Sequence, residues 1–531
     1  MKLNILQSWK NKWPKVRSTL PLPTGEGVVD KGAFDTIEID KLFDSVNQAK
    51  TIAGQSVLYR SLTQPSDSLE EINAKQAAIK EIQSAPAVRD NLENIVANAA
   101  EKEQALYLLL FGEFLGGMGT ARENNQIEGY GYRQYRRGVR TVLELTDSIY
   151  ASQEPDSPYL KSVFNKINTF SQSRVCSLMR GPVYNTEKGL KSKEERKGSF
   201  VPASIFIPRV FKPLLISLVL VLIWVLTQLM SFGIPGISFG GGAIWGLFLV
   251  PFSLLYFPII GGFDRDNCII PLREEFKQSQ ELGDALDALG QIDELLSFIK
   301  LSEQHGRSMR LPEMIESEQH SIGLLDAKNP VLGRKNASYV GNDFNLEQEK
   351  LVFITGPNSG GKTAFCKTVT QIQVLAQAGC YVPVEKAKLS VADRIFYQAP
   401  EISHLDDGEG RYGTELKRTK DIFLASTAKS LVVLDELSEG TTFEEKMESS
   451  TNVLDGFYRK GCNTILITHN HQLVDVFIDK GEGSARQVEF ANDAPSYKLV
   501  EGISRVSHAD RVAKKIGFSK EDIDEYLASS K

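Results

Sequence analysis

Gly356-Pro357-Asn358-Ser359-Gly360-Gly361-Lys362-Thr363 follows the apolar run LVFIT (351–355) and leads into TAFCKTVTQIQVLAQ (363–377). The octapeptide satisfies the phosphate-loop pattern G-x-x-x-x-G-K-[ST], and its flanks read as a strand before it and a helix after it. Glycines let successive backbone N–H groups close around phosphate oxygens, and the helix N-terminus adds a favourable dipole. Gly356 through Thr363, with Ala364 behind them, are therefore the expected nucleotide-binding set. Lys362 is expected to reach the β- and γ-phosphates, and the Thr363 hydroxyl to ligate Mg²⁺.

Two further runs supply the rest of a nucleotide-hydrolysing site. SLVVLDELSEG (430–440) is an apolar strand ending in Asp435-Glu436. Asp435 is expected near the Mg²⁺ shell and Glu436 where a carboxylate polarises an attacking water. NTILITH (463–469) ends in His469, placed to meet the γ-phosphate. The expected catalytic residues are thus Lys362, Glu436 and His469, and the expected metal ligands Thr363 and Asp435. From about Ile322 onward, LVFIT, RIFYQA, SLVVLDE, NTILITH, QVEFA and YKLV alternate with helical patterns. That alternation argues a mostly parallel α/β domain.

Upstream the chain reads as helical. LEEINAKQAAIKEIQ (69–83), the stretch from Ala87 to Phe114, YRQYRRGVRTVLELTDSIYASQ (132–153) and one long amphipathic run over 272–304 carry apolar residues at helical spacing. Two runs break the pattern. PLLISLVLVLIWVLTQLM (213–230) and AIWGLFLVPFSLLYFPII (243–260) are uncharged, separated by the Gly-rich SFGIPGISFGGG. Each approaches the roughly 20 residues a bilayer-crossing helix needs. Arg209, Lys212 and Arg265 flank the pair on its outer sides, the bias that keeps such flanks in the cytoplasm. The expectation is a membrane hairpin with spans near 213–232 and 243–262, lipid as its partner, and both long segments cytoplasmic. Trp9 and Trp13 among nearby lysines suggest an added interfacial contact.

Composition bounds the rest. The chain has 531 residues, 42% hydrophobic and 24% charged, which excludes a disordered or collagenous protein and gives a prior of about three or four domains. A net charge of -6 excludes a wholly basic nucleic-acid binder. Five scattered cysteines argue against a disulfide framework or a zinc site.

These residues resemble one family, the MutS mismatch-repair ATPases. TGPNSGGKT (355–363), QAGCYVPVEKAKLSVADRIF (377–396), LVVLDELSEGTT (431–442), ITHNHQL (467–473) and YKLVEGISRVSHADRVAKKIGF (497–518) are each similar to a family segment. NPVL (329–332) and YVGND (339–343) resemble the part that packs on the base, which implies Tyr339 stacking on adenine and Asn342 beside it. The segment from Ile39 to Ile82 and QIDELLSFIKLSEQ (291–304) resemble the helical core and its returning lever. The implied fold class is an α/β ATPase domain with a phosphate loop and the nucleotide-binding fold shared with transport ATPases. It would be joined to an all-α lever domain interrupted by the hairpin. The expected organisation is a basic segment over 1–35, the first half of the core over 36–205, the hairpin over 206–265, a lever over 266–321 and the ATPase over 322–531. The family implies ATP and Mg²⁺ as cofactors, a homodimer through the ATPase domain, and duplex DNA as a partner.

The departures are specific. With only about 35 residues ahead of the core, no mismatch-reading domain is expected. Gly410-Arg411-Tyr412, ahead of Glu415, stands where the family has a trans-acting Ser and Thr-Phe. Ser438-Glu439 stands where the family has a Gly-Arg pair, and with the sequence ending at Lys531 no helical dimerising appendage is expected. The resulting expectation is a membrane-anchored ATPase whose hydrolysis at a dimer interface moves helical levers; the basic stretch 132–140 reads either as a contact to DNA phosphates or as the charged face of a solvated helix. A transporter-like ATPase and an ATP-switched membrane scaffold are the alternatives. The spans carry no ionisable residue and no LSGGQ-like signature occurs, which argues against the first; intact Lys362, Asp435 and Glu436 argue against the second.

Overall fold

The computed structural model describes residues 3–9, 12–116, 129–196, 203–207, 219, 222–223, 225–226, 259–304, 309–336, 338–347, 349–357, 360–400, 410–438, 441–491, 494–505 and 516–529. The chain divides into two compact units, one comprising Met1–Thr19, Ala49–Leu58 and Ala78–Leu296, the other Leu20–Gln48, Tyr59–Ala77 and Ser297–Lys531.

The first unit is built mainly of helices. Helix α1 (Pro86–Phe111) opens with Pro86 in its first turn, where a missing N–H costs nothing. Its buried Leu92, Ile95, Val96, Ala99, Leu106 and Leu109 lie toward helix α2 (Tyr132–Tyr150), which buries Val139, Val142, Leu145 and Ile149. A Cβ at Gly138 would sit 2.5 Å from the Ala105 carbonyl oxygen, so the close crossing of the two helices requires glycine there. Helix α3 (Pro158–Ser171) packs on α2 in turn. Strands Val183–Thr186, Gly189–Lys191 and Ser204–Phe206 form a small antiparallel sheet that the sequence pattern did not suggest, since strands of three or four residues are too short to show alternation.

The long helix expected over 272–304 is two helices, Ile270–Gln278 and α4 (Gln280–Gln304). Ser279 adopts an extended ψ of 119°, and its Oγ accepts the Leu282 N–H at 3.1 Å. A serine oxygen that can cap a new helix competes with continuation of the old one. Trp9 is also corrected. It is 1% exposed and lies edge-on to Tyr107 at 5.3 Å, with Nε1 donating to the Lys15 carbonyl. It is a core residue, not an interfacial one, and Trp13 lies against Phe111.

The membrane assignment is corrected as well. Among the described residues no helix is long and apolar enough to cross a membrane. The expected spans, 213–232 and 243–262, lie almost wholly outside the described residues. Described helices of span length fail on charge: α1 carries Arg89, Asp90, Glu93, Glu101, Lys102 and Glu103, and α4 carries Glu281, Asp284, Asp287, Asp293, Glu294, Lys300 and Glu303. Uncharged length is what a span demands, so neither a two-span membrane location nor a lipid partner is carried further.

Two buried carboxylates organise the start of helix Ile52–Thr63. Asp293 accepts from Lys50 N at 2.9 Å, Thr51 N at 2.7 Å and Thr51 Oγ1 at 2.8 Å. Glu103 accepts from Ile52 N at 2.9 Å and the Tyr107 hydroxyl at 3.2 Å. They satisfy donors that a helix start leaves unpaired. Burial, followed by lesser effects that include the charge of Asp293, raises the Glu103 carboxyl to about 7, against the pull of its hydrogen bonds.

In the second unit a six-stranded sheet carries the site. Its strands are β4 (Leu351–Thr355), β6 (Ile395–Gln398), β7 (Leu431–Asp435), β8 (Asn463–Ile467), β9 (Ser484–Ala491) and β10 (Ala494–Glu501). The order is β6-β7-β8-β4-β9-β10, parallel from β6 through β9, with β10 antiparallel at the edge. Every residue of β4, β7 and β8 is buried, as the covered faces of a parallel sheet require. A four-stranded sheet joins β1 (Glu313–Ile315), β2 (Ile322–Ala327), β3 (Asn342–Leu346) and β5 (Lys386–Ser390) in the order β1-β5-β2-β3. Helix α5 (Lys362–Gln377) follows the phosphate loop, and α6 (Gly410–Ala425), α7 (Phe443–Lys460) and α8 (His471–Asp479) complete the unit. The N-terminal stretch 20–48 folds here. Gln371 Nε2 donates to the Ile37 carbonyl at 2.7 Å, and Ile395 N to Val28 O at 2.7 Å.

Glu103 yields a stability prediction. Its folded pKa stands above its unfolded value of about 4.5, so the fold holds the extra proton and loses stability as pH rises from 4.5 through 7. Glu103→Gln keeps the acceptor and removes the charge. Denaturant melts should show the variant more stable than wild type at pH 8, by up to about 2–3 kcal/mol, and nearly equal at pH 5.

Candidate nucleotide site

The site forms where three adjacent strands end. Register pairs Asp435 with Ile467 and Ile467 with Ile354, so the residues that follow β7, β8 and β4 leave the sheet side by side. Open parallel sheets bind ligands at this edge, beyond the carboxyl ends of their strands. Gly356 leaves β4 at φ +129°, and Gly361 enters α5 at φ +88°. Both values lie in the region glycine alone adopts freely. Gly360 packs so near Val488 that a Cβ would meet its Cγ2 at 3.0 Å. Asn358 and Ser359 lie outside the described residues, and Ala364 is half-buried on the first turn of α5.

Lys362 is 3% exposed. Its ammonium donates to Gly356 O at 2.7 Å and Pro357 O at 3.0 Å, and lies 3.3 Å from His469 Nε2. An ammonium has only donors, so His469 Nε2 accepts and the imidazole is neutral, with its proton on Nδ1. The 3.9 Å approach of the same nitrogen to Glu436 Oε1 is then no charged pair. Burial pushes the Lys362 pKa down, opposed by the carboxylates of Glu436 and Asp435.

Thr363 Oγ1 donates to Asp435 Oδ2 at 3.0 Å. A hydroxyl and a carboxylate side by side form a hard oxygen donor set, which suits Mg²⁺. Glu436, 9% exposed, has its backbone in the left-handed region at φ +61°. Its N–H donates to Ile467 O at 2.9 Å. The carboxylate accepts from His469 N at 3.0 Å and from the Thr468 hydroxyl at 3.3 Å. Lys362, Thr363, Asp435, Glu436 and His469, from three separate segments, thus converge.

Tyr339 and Asn342 take other partners. Tyr339 is half-buried; burial raises its phenol pKa, and a hydrogen bond with Thr368 opposes the rise. Asn342 is 6% exposed and clamps β10, its Nδ2 donating to Tyr497 O at 3.0 Å and its Oδ1 accepting from Leu499 N at 2.8 Å. The clamp presents Tyr497, itself left-handed at φ +59° and 54% exposed, against the loop. A Cβ on Gly361 would lie 3.3 Å from Tyr497 Cδ1. Tyr497 was not singled out from the sequence, where it is one aromatic in a short strand. Lys446 was missed too: its Nζ lies 3.7 Å from Glu436 Oε2, yet it is one of several charges in FEEKMESS.

Asn342→Ala removes both clamp bonds at once. The variant should lose about 1–3 kcal/mol of stability. Hydrogen exchange followed by mass spectrometry should show faster exchange at Tyr497 to Leu499, while β4 and β7 stay protected.

Residues 352–528 match the family model described as MutS domain V. A DNA mismatch repair protein MutS from Lysinibacillus sphaericus is 32% identical over 212 residues, 39% of this chain and 24% of the relative. A DNA mismatch repair protein msh3 from Aspergillus terreus is 31% identical over 254 residues, 44% of this chain and 22% of the relative. A MutS from Prochlorococcus marinus is 28% identical over 263 residues, 47% of this chain and 28% of the relative. The chain thus spans about a quarter of the length of these relatives.

Proposed function

We propose, from the premise that the chain belongs to the MutS family through residues 352–528, that it is an ATPase which binds and hydrolyses Mg²⁺-ATP where β4, β7 and β8 end. The observation that carries the reading is the convergence of Lys362, Thr363, Asp435, Glu436 and His469 there. Lys362 holds the β- and γ-phosphates. Burial keeps its charge poorly hydrated, so it gains more from an anion than a surface lysine would. Thr363 and Asp435 would hold Mg²⁺, whose charge neutralises phosphate oxygens when bound. Glu436 orients the attacking water, its carboxylate fixed by His469 N and Thr468. Neutral His469, by accepting from Lys362, keeps that ammonium beside Glu436.

The wider reading follows the family. The first turns of α6 face the nucleotide of a second copy, so that ATP bridges a homodimer, and hydrolysis moves the helical segments over 36–205 and 266–321. Duplex DNA, in a role related to mismatch repair, is the proposed partner. Arg133, Arg137 and Arg140 are exposed on α2 while Tyr135, Gly138 and Val139 turn inward. Arg137 also pairs with Glu101 at 3.0 Å, so phosphate contact would exchange one partner for another.

Two measurements test this. Lys362→Ala should lower ATP affinity by about tenfold or more. Glu436→Gln should leave affinity near wild type and lower kcat by about a hundredfold. Equal loss of binding in both variants would reject the assigned roles. In duplex-DNA titrations, log K should fall against log salt with a slope of about −3, and Ala at all three arginines should flatten it. A slope unchanged by the triple substitution would exclude this face of α2.

A further inference from the structure

We propose that Glu415 is a positioning residue for Glu436, acting through the turn that follows β7. The inference rests on the reading of Glu436 as the water-orienting group.

Glu415 lies in the second turn of α6, is buried, and its carboxylate accepts the N–H of Ser438 across 23 positions of sequence. Ser438 is itself buried and left-handed at φ +58°, two residues after Glu436 at φ +61°. Side chains other than glycine disfavour that conformation, and two such residues in one short turn persist only when neighbours over-determine them. The neighbours are identifiable. Glu436 N is tied to β8 through Ile467 O. Ser438 N is tied to α6 through Glu415, and Ser438 Oγ donates to Ser449 Oγ of α7 at 3.3 Å. Tyr412, one turn before Glu415, donates its hydroxyl to the same Ser449 Oγ at 3.1 Å.

Both ends of the turn are therefore held, and α6 holds the Ser438 end. Release of Ser438 N lets the turn relax toward ordinary backbone angles, and the Glu436 Cα–Cβ bond rotates with it. The carboxylate then leaves the position that His469 N and Thr468 define. A carboxylate bond is needed because the Ser438 N–H is buried and would otherwise be unpaired. The charge of Glu415 strengthens the bond, but its acceptor oxygen is the essential feature.

The test uses the full chain with ATP and Mg²⁺ in steady-state hydrolysis, a fluorescent ATP analogue for affinity, and hydrogen exchange over 434–442. Glu415→Ala should lower kcat by about tenfold or more while affinity changes by less than about twofold. Exchange at 436–442 should rise in that variant. Glu415→Gln, which keeps an acceptor oxygen, should stay within about threefold of wild type. Ser438→Gly makes the left-handed angle free, and in the Glu415→Ala background it should recover most of the lost kcat. Where Glu415→Ala does not fold, Glu415→Asp, whose carboxylate is withdrawn by one methylene, carries the same comparison. The proposal is overturned by unchanged kcat and exchange in Glu415→Ala, by a Glu415→Gln variant as slow as the alanine one, or by failure of Ser438→Gly to rescue. Wild-type chain that binds ATP without turnover, or a Glu436→Gln variant that keeps turnover, rejects the reading of Glu436 instead. Exchange over 436–442 still decides the Glu415 contact in that case.

Discussion

The ammonium of Lys362 is nearly withdrawn from water, and the second unit is arranged around that burial. Burying a lone charge costs several kcal/mol unless it is paired and hydrogen-bonded. Here two loop carbonyls and an imidazole accept from it, while Glu436 and Asp435 supply opposite charge. The carbonyls are available because Gly356 turns the chain in a way other residues resist. The imidazole and the carboxylates are available because β7 and β8 end in register with β4. Weakening any one of these supports leaves the others facing an under-compensated charge. The motif, the register and the strand order are thus one requirement seen at three scales.

What the sequence discloses follows from how local each requirement is. The phosphate loop is local and could be read directly. β4, β7 and β8 could be read because their burial on both faces makes them continuous apolar runs closed by functional residues. The break at Ser279 was hidden, because one serine among charged neighbours does not interrupt an apolar period. Trp9 misled for a related reason. Flanking lysines are the mark of an interfacial tryptophan, but the mark does not say whether an aromatic core partner such as Tyr107 exists elsewhere in the chain. The membrane reading joined uncharged length to a Gly-rich turn and cationic flanks, and the runs it named lie almost wholly outside the described residues. Contacts formed across the fold, such as Asn342 with β10 or Lys446 with Glu436, have no sequence signature.

The structure separates residues that make the site from residues that hold it. Asn342 was expected beside a base, yet its amide oxygen and nitrogen are both committed to the β10 backbone. A buried amide with both ends satisfied is a fastener, since breaking either bond leaves an unpaired polar group. It delivers Tyr497, which is exposed and stands over Gly361. Position in a motif therefore indicates the neighbourhood of a residue, and the hydrogen-bond inventory indicates what the side chain is free to do.

Left-handed backbone at residues other than glycine is concentrated where chemistry is expected. Of the five such residues among those described, Glu436, Ser438 and Tyr497 lie at the candidate nucleotide site. Each such residue costs about 1–2 kcal/mol, and a fold selected for stability alone would replace them with glycine. Retaining a side chain at that angle gives a direction no ordinary strand exit offers. At Glu436 it turns the carboxylate back toward His469 N and Thr468 while the N–H stays in the sheet ladder. At Tyr497 it places the ring over the loop while Asn342 holds the strand. The stability given up at these positions is returned by a parallel sheet whose central strands are wholly buried. The rigid core and the strained rim are in that sense a single design, because only a rim anchored to such a core can keep unfavourable angles without relaxing.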